Sequence, residues 1–203
     1  MTELLKSSTL LLVLLNPFLV IVYLIDVLEK LDRKQFTRVL LRAGMIATLV
    51  FWCFVILGDA IFSEIVHAQF ASFQIFGGIV WLVIGLQFVF QGPTAIKILR
   101  GESQHLAGAI AMPILIGPGT ISASVIIGKR HEAIPACATV LSTVIVSTLI
   151  MIGLKALHDY VRPKREPLIH RYIEIAGRIT ALFVGTVSVE MIMQGIRTWA
   201  QKF

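Results

Sequence analysis

Charge is what the interior of this sequence lacks. Only 15% of its 203 residues are Asp, Glu, Lys or Arg, against about a quarter in soluble domains. Hydrophobic residues make up 57%, and the mean hydropathy is +0.86. Cysteine is scarce as well. Cys53 and Cys137 both lie in apolar stretches, where they read as small buried hydrophobes rather than a disulfide or a metal pair. The chain carries no Walker A run and no nucleophile elbow, and His131-Glu132 lacks the second histidine of a zinc helix. Enzyme chemistry therefore has little support, and no cofactor is implied. Long polar segments are missing too, the longest being about 26–42 and 155–178. No sizeable water-soluble domain fits.

What remains is apolar chain. Six stretches approach the ~20 helical residues needed to cross a hydrocarbon core. They are roughly Ser7–Ile25, Ala43–Phe62, Phe70–Gly92, Leu106–Gly128, Ala133–Leu154 and Ile179–Ile196. The only formal charges inside them are Asp59, near one end of the second, and Glu190 in the sixth. The first stretch reads poorly as a cleaved signal peptide, being long, carrying Asn-Pro in its middle and lacking a small-x-small site. The predicted fold is an all-α, multi-pass membrane protein of six helices, with the lipid bilayer as its partner.

The net charge of +6 is a topology signal rather than a nucleic-acid footprint. Connectors one, three and five hold twelve Lys and Arg, including Lys30, Arg33, Lys34, Lys97, Arg100 and Arg171. The opposite side, with both termini, holds five: Lys6, Lys129, Arg130, Arg197 and Lys202. The positive-inside rule then places both termini on the non-cytoplasmic side of the cell membrane.

Two helix breakers interrupt the apolar runs: Asn16-Pro17 in the first and Gly117-Pro118-Gly119 in the fourth. Each is predicted to split its helix, because proline removes a backbone donor and clashes with the preceding turn. Within lipid such a break leaves backbone groups that need a polar partner. The third and sixth stretches echo each other through Gly77 and Gly85 against Gly177 and Gly185. Three helices per half is an odd number, so the halves enter from opposite faces. The chain is thus expected to be one transmembrane domain, 1–203, built as an inverted repeat. Repeat 1 covers about 1–92, a linker about 93–105, and repeat 2 about 106–203. The 155–178 connector is predicted to be a solvated cytoplasmic loop.

Substrate-binding candidates follow from the breaks. Asn16 offers a donor and an acceptor, and a half-helix starting at Pro17 presents N–H groups suited to a carboxylate. Gly117, Pro118 and Gly119 open the backbone to a ligand, and Thr120, Ser122 and Ser124 add hydroxyls just beyond. A plain proline kink and close helix packing by small residues are the structural alternatives. Glu190 is the candidate for proton coupling, since an intramembrane carboxylate is costly to keep. The alternative is a Glu held by a partner such as Arg178. Gln87 stands at the repeat-related position.

The runs LLLVLLNPFLVIVYL, FGGIVWLVIGLQFVF and AIAMPILIGPGTISASVII, with MIMQGIRTW near the end, resemble the MarC family (UPF0056) of small inner-membrane proteins, which is related to the LysE-type amino-acid exporters. The resemblance implies two inverted three-helix repeats with broken helices 1 and 4 meeting at the centre. It also implies transport of small neutral amino acids such as glycine or alanine. Asn16-Pro17 and Gly117-Pro118-Gly119-Thr120 match the family's two signature turns. The chain departs from the family pattern at Leu19, where glycine is usual, and in exchanging the residue types at Gln87 and Glu190.

The leading expectation is a secondary transporter that binds a zwitterion at the two breaks, with proton coupling and a homo-oligomeric state as further options. An exporter of another small metabolite or drug-like compound, or a non-transporting scaffold, is the alternative. No nucleic-acid partner is expected.

Overall fold

An asparagine and a proline decide how the chain begins. The computed structural model describes residues 2–23, 31–58, 60–65, 67–91 and 115–201. Helix α1 (Thr2–Leu15) gives way at Asn16 to α2 (Pro17–Tyr23). Pro17 has no N–H for the carbonyl of Val13, and Asn16 takes a left-handed φ of +39°. The Asn16 N–H still closes α1 on the Leu12 carbonyl (3.0 Å), while its own carbonyl opens α2 by accepting from Val20 N–H (3.1 Å). The break predicted from Asn16-Pro17 is there.

Helix α3 (Arg33–Leu57) starts well before the apolar stretch predicted from Ala43. Asp32 is the reason. Its carboxylate accepts from Gln35 N–H (2.6 Å), and the Gln35 side chain accepts from Asp32 N–H (3.4 Å). This reciprocal capping box nucleates the helix in polar sequence. A π-helical turn (Ile61–Ile65) follows. There Phe62 packs on Phe54, Phe70 and Phe73 at ring separations of 5.8, 5.2 and 4.9 Å, so that the end of α3 meets the start of α4 (Phe70–Gln91). The linker at 93–105 and the first part of the fourth apolar stretch lie outside the described residues. Helix α5 (Pro118–Arg130) begins at the second break, with Gly117 as its N-cap and Pro118 in the first turn, where proline is tolerated.

Helix α6 (Ala133–Ala200) corrects one expectation: the chain is helical straight through the connector predicted as a loop at 155–178. A straight helix of that length would extend about 100 Å. It is not straight. Its first part runs antiparallel to α3, with Trp52 Nε1 donating to the Cys137 carbonyl (2.9 Å) and Arg33 donating to that of Ala156 (3.0 Å). Its last part runs antiparallel to α4, where Gly78 packs on Ser188 and Ile192, and Gly195 on Ala71. The short α5 touches both regions, since Gly128 packs on Val55 and Gly119 on Met191. The axis therefore doubles back between Tyr160 and Ala181, a stretch whose sequence holds Pro163 and Pro167, residues that bend helices. The fifth and sixth apolar stretches thus belong to one continuous, doubled-back element.

Among the described residues, three segments have the length and apolarity to cross a membrane: Arg33–Leu57, Phe70–Gln87 and Ala133–Tyr160. The main core is made by α1, α3, α5 and the first part of α6 around Leu11, Phe36, Leu40, Phe51, Ile127 and Met151. Beside it stands the α4–α6 pair, joined closely because Gly78, Gly85 and Gly195 admit the partner backbone. Gly85, which the sequence echo paired with Gly185, meets that residue directly. A second echo emerges from burial. Positions 36, 40, 43, 44, 47, 48, 51 and 55 are buried, and so is each position 100 residues later.

Candidate functional site

The two breaks converge. Leu14, in the last turn before Asn16, lies against Gly119, as does Met191 of α6; a methyl group on Gly119 would sit 3.5 Å from each. Behind them, Gly77 packs on Pro118, and Gly117 lies so close to the Trp81 ring that an added carbon would fall 2.6 Å from Cζ2. Four segments thus meet where α1 ends and α5 begins: the end of α1, the start of α5, the middle of α4 and the last part of α6.

The hydroxyls beyond Gly117 divide into three roles. Thr120 is 1% exposed and turned onto its own break. Its Oγ1 accepts from Gly117 N–H and lies 2.9 Å from the carbonyl oxygens of both Leu115 and Gly117. Thr120 therefore braces the interrupted backbone instead of presenting a hydroxyl outward. Ser124 donates to the Thr120 carbonyl (2.8 Å) and is likewise occupied. Ser122 differs: it is 6% exposed, and among the described residues its hydroxyl has no hydrogen-bond partner. A buried hydroxyl left without a partner costs about 1–3 kcal/mol, which makes Ser122 the side chain most in need of a ligand or water.

Ser122 and Gly119 line a cleft of about 1290 Å³ between α1, α4, α5 and the last part of α6. Glu190 lines it too, beside Met191. Its carboxylate accepts from Gln194 Nε2 (3.0 Å) one turn along and is exposed on the cleft side. Arg178, twelve residues earlier on α6, is too distant along the helix to be its partner. The structure thus joins Gly119, Ser122 and Glu190 in one cavity wall. Asn16, Pro17, Gly117, Pro118 and Thr120 are not among its lining residues; they form the two breaks, which meet through Leu14 and Gly119. Gln87, expected from the sequence to correspond to Glu190, has a buried Oε1 with no partner among the described residues.

Sequence reasoning missed Gln74, which is 5% exposed and lines the cleft from α4. A signal was present: Gln74, Gly77, Gly78, Trp81 and Gly85 fall on one face at helical spacing. It also assigned Lys129, Arg130 and Arg197 to topology alone, although all three border the cleft.

The family model for MarC family integral membrane proteins matches residues 1–200. The chain belongs to the MarC family. It is similar to UPF0056 membrane proteins across bacteria and archaea: 25% identical to one from Pyrococcus horikoshii, over 95% of this chain and 93% of that protein. The Escherichia coli protein YhcE is 25% identical over 91% of this chain and 87% of its own length. A Methanocaldococcus jannaschii relative is 26% identical over 91% of each chain. No solved structure matches. MarC membership makes the chain an integral membrane protein, which accounts for its many exposed large hydrophobics, Leu49, Ile56, Phe76 and Phe90 among them.

Proposed function

We propose that this MarC-family protein is a secondary transporter of small neutral amino acids across the prokaryotic cytoplasmic membrane. It is built as one domain of two inverted three-helix repeats, with both termini outside the cytoplasm. The observation that carries this reading is the buried Ser122 hydroxyl, without a partner among the described residues, in a cleft where two helix breaks meet. Discontinuous helices that cross near mid-membrane are the usual plan of a transporter site. Antiparallel packing of matching segments and the burial echo at an interval of 100 residues support the inverted halves.

A bound zwitterion would set its carboxylate against first-turn N–H groups of α2 or α5 and Ser122 Oγ, and its ammonium toward Glu190 or open carbonyls at the end of α1. Proton coupling falls to Glu190, the carboxylate in the cleft. Uptake of labelled glycine and alanine into proteoliposomes, with and without a pH gradient, tests the reading. Ser122→Ala should weaken apparent affinity about 2- to 10-fold, the worth of one hydrogen bond. Absence of flux for every amino acid tried would sink the assignment. Retention of the full pH dependence in Glu190→Gln would remove Glu190 from coupling.

A further inference from the structure

The cleft is larger than an alanine-sized ligand needs. Its volume of about 1290 Å³ exceeds the roughly 300–1000 Å³ of drug-sized ligand pockets. Its walls carry Leu10 and Val13 of α1, Leu86 and Val89 of α4, and Leu182 and Val189 of α6, each more than a third exposed. In a bilayer, open apolar walls of this kind meet acyl chains.

One end of the cleft is basic. Lys129 and Arg130 close α5 and border the cavity, and Arg197 borders it from α6. Lys129 Nζ sits 5.9 Å from the centre of the Phe70 ring, and Gly195 packs on Ala71, so these cations gather at the first turn of α4. Among the described residues neither Arg130 nor Arg197 forms an ion pair. Among the described residues the one carboxylate on the cleft wall is Glu190, two helical turns from Arg197, about 10 Å along the axis. An α-amino acid carries its ammonium and carboxylate on a single carbon and cannot engage both positions. The basic end therefore calls for a different ligand, with a compact anionic head and a long apolar tail.

We propose that the cleft holds an anionic glycerophospholipid, its phosphate at Lys129, Arg130 and Arg197 and an acyl chain along the apolar walls. Basic pockets between membrane helices recognise such headgroups by charge. The lipid shares the cleft with the proposed substrate but rests on different residues, and its retention is measured without flux, so the two readings fail separately.

The test is native mass spectrometry of the purified full chain after exchange into an equimolar mixture of phosphatidylglycerol and phosphatidylcholine. The wild-type chain should retain phosphatidylglycerol in preference. Each of Lys129→Gln, Arg130→Gln and Arg197→Gln should reduce that preference about fivefold, the effect of one basic side chain near a charged headgroup. Arg42→Gln, an exposed α3 residue outside the cleft, should leave it unchanged. Equal retention of the two lipids by the wild-type chain overturns the proposal without any variant needing to fold. A preference that survives all three substitutions overturns it too. Displacement of the lipid by inorganic phosphate alone would mark a free-anion site instead.

Discussion

At Asn16 the backbone takes φ +39°, where most side chains cost about 1–2 kcal/mol but asparagine and glycine sit with little strain. Asn16→Gly should therefore keep the melting temperature close to wild type, while Asn16→Leu should lose about 1–2 kcal/mol of stability. Thermal melts in detergent separate the two, and equal melting of both variants would show that the angle carries no strain. A ligand role for the amide predicts that Asn16→Gly also loses substrate binding while remaining folded. Thr120 makes a complementary case, because its hydroxyl meets one N–H and two carbonyls of the break. Thr120→Val should cost about 1–3 kcal/mol, and Thr120→Ser should recover most of it. If valine were tolerated as well as serine, the bracing role would fail. The break positions were legible because proline and glycine have few structural meanings inside an apolar run. The partners of a hydroxyl were not, since Thr120, Ser122 and Ser124 look alike in sequence yet brace, face the cleft and back-bond in turn.

Hydropathy finds the part of a helix that sits in lipid, and caps find where the helix starts. Hence α4 matched its predicted stretch, whereas α3 began at Arg33, where Asp32 and Gln35 supply a start signal that an apolar scan does not weigh. The same gap explains α6: a charged, proline-bearing segment reads as a loop, yet it is helical and bent. At its near end Lys155, only 4% exposed, is paired with Asp159 at 2.7 Å. Arg33 of α3 approaches the same carboxylate at 3.6 Å. This cluster ties the start of α3 to α6. Asp159→Ala should destabilise the chain by about 1–3 kcal/mol, less than a fully buried pair because the carboxylate is partly exposed. Adding Lys155→Met should restore part of that loss, since it removes the stranded charge. A double-mutant cycle showing simple additivity would deny the coupling.

Across the whole molecule the basic residues predict an orientation that labelling can read. In a background carrying Cys53→Ala and Cys137→Ala, Lys6→Cys should react with a membrane-impermeant maleimide in intact cells. Arg38→Cys should react only after permeabilisation; the reverse pattern would invert the topology. The proposed inverted plan rests, in sequence, on an odd helix count per half and paired breaks. The burial that supports it, at positions 100 residues apart, needed the folded chain. That interval has a consequence where equivalent positions touch each other. Gly85 meets Gly185, and Val144, with Thr148, fills the space that Gly44 leaves open, Val144 Cγ1 lying 3.5 Å and Thr148 Oγ1 3.3 Å from the place of the missing side chain. In a two-fold dimer of separate subunits, a position on the axis faces a copy of itself. There Gly would face Gly across a void, or Val would face Val in a clash. A single chain escapes that symmetry, so lock and key can diverge at one such pair, Gly44 and Val144, without disturbing any other.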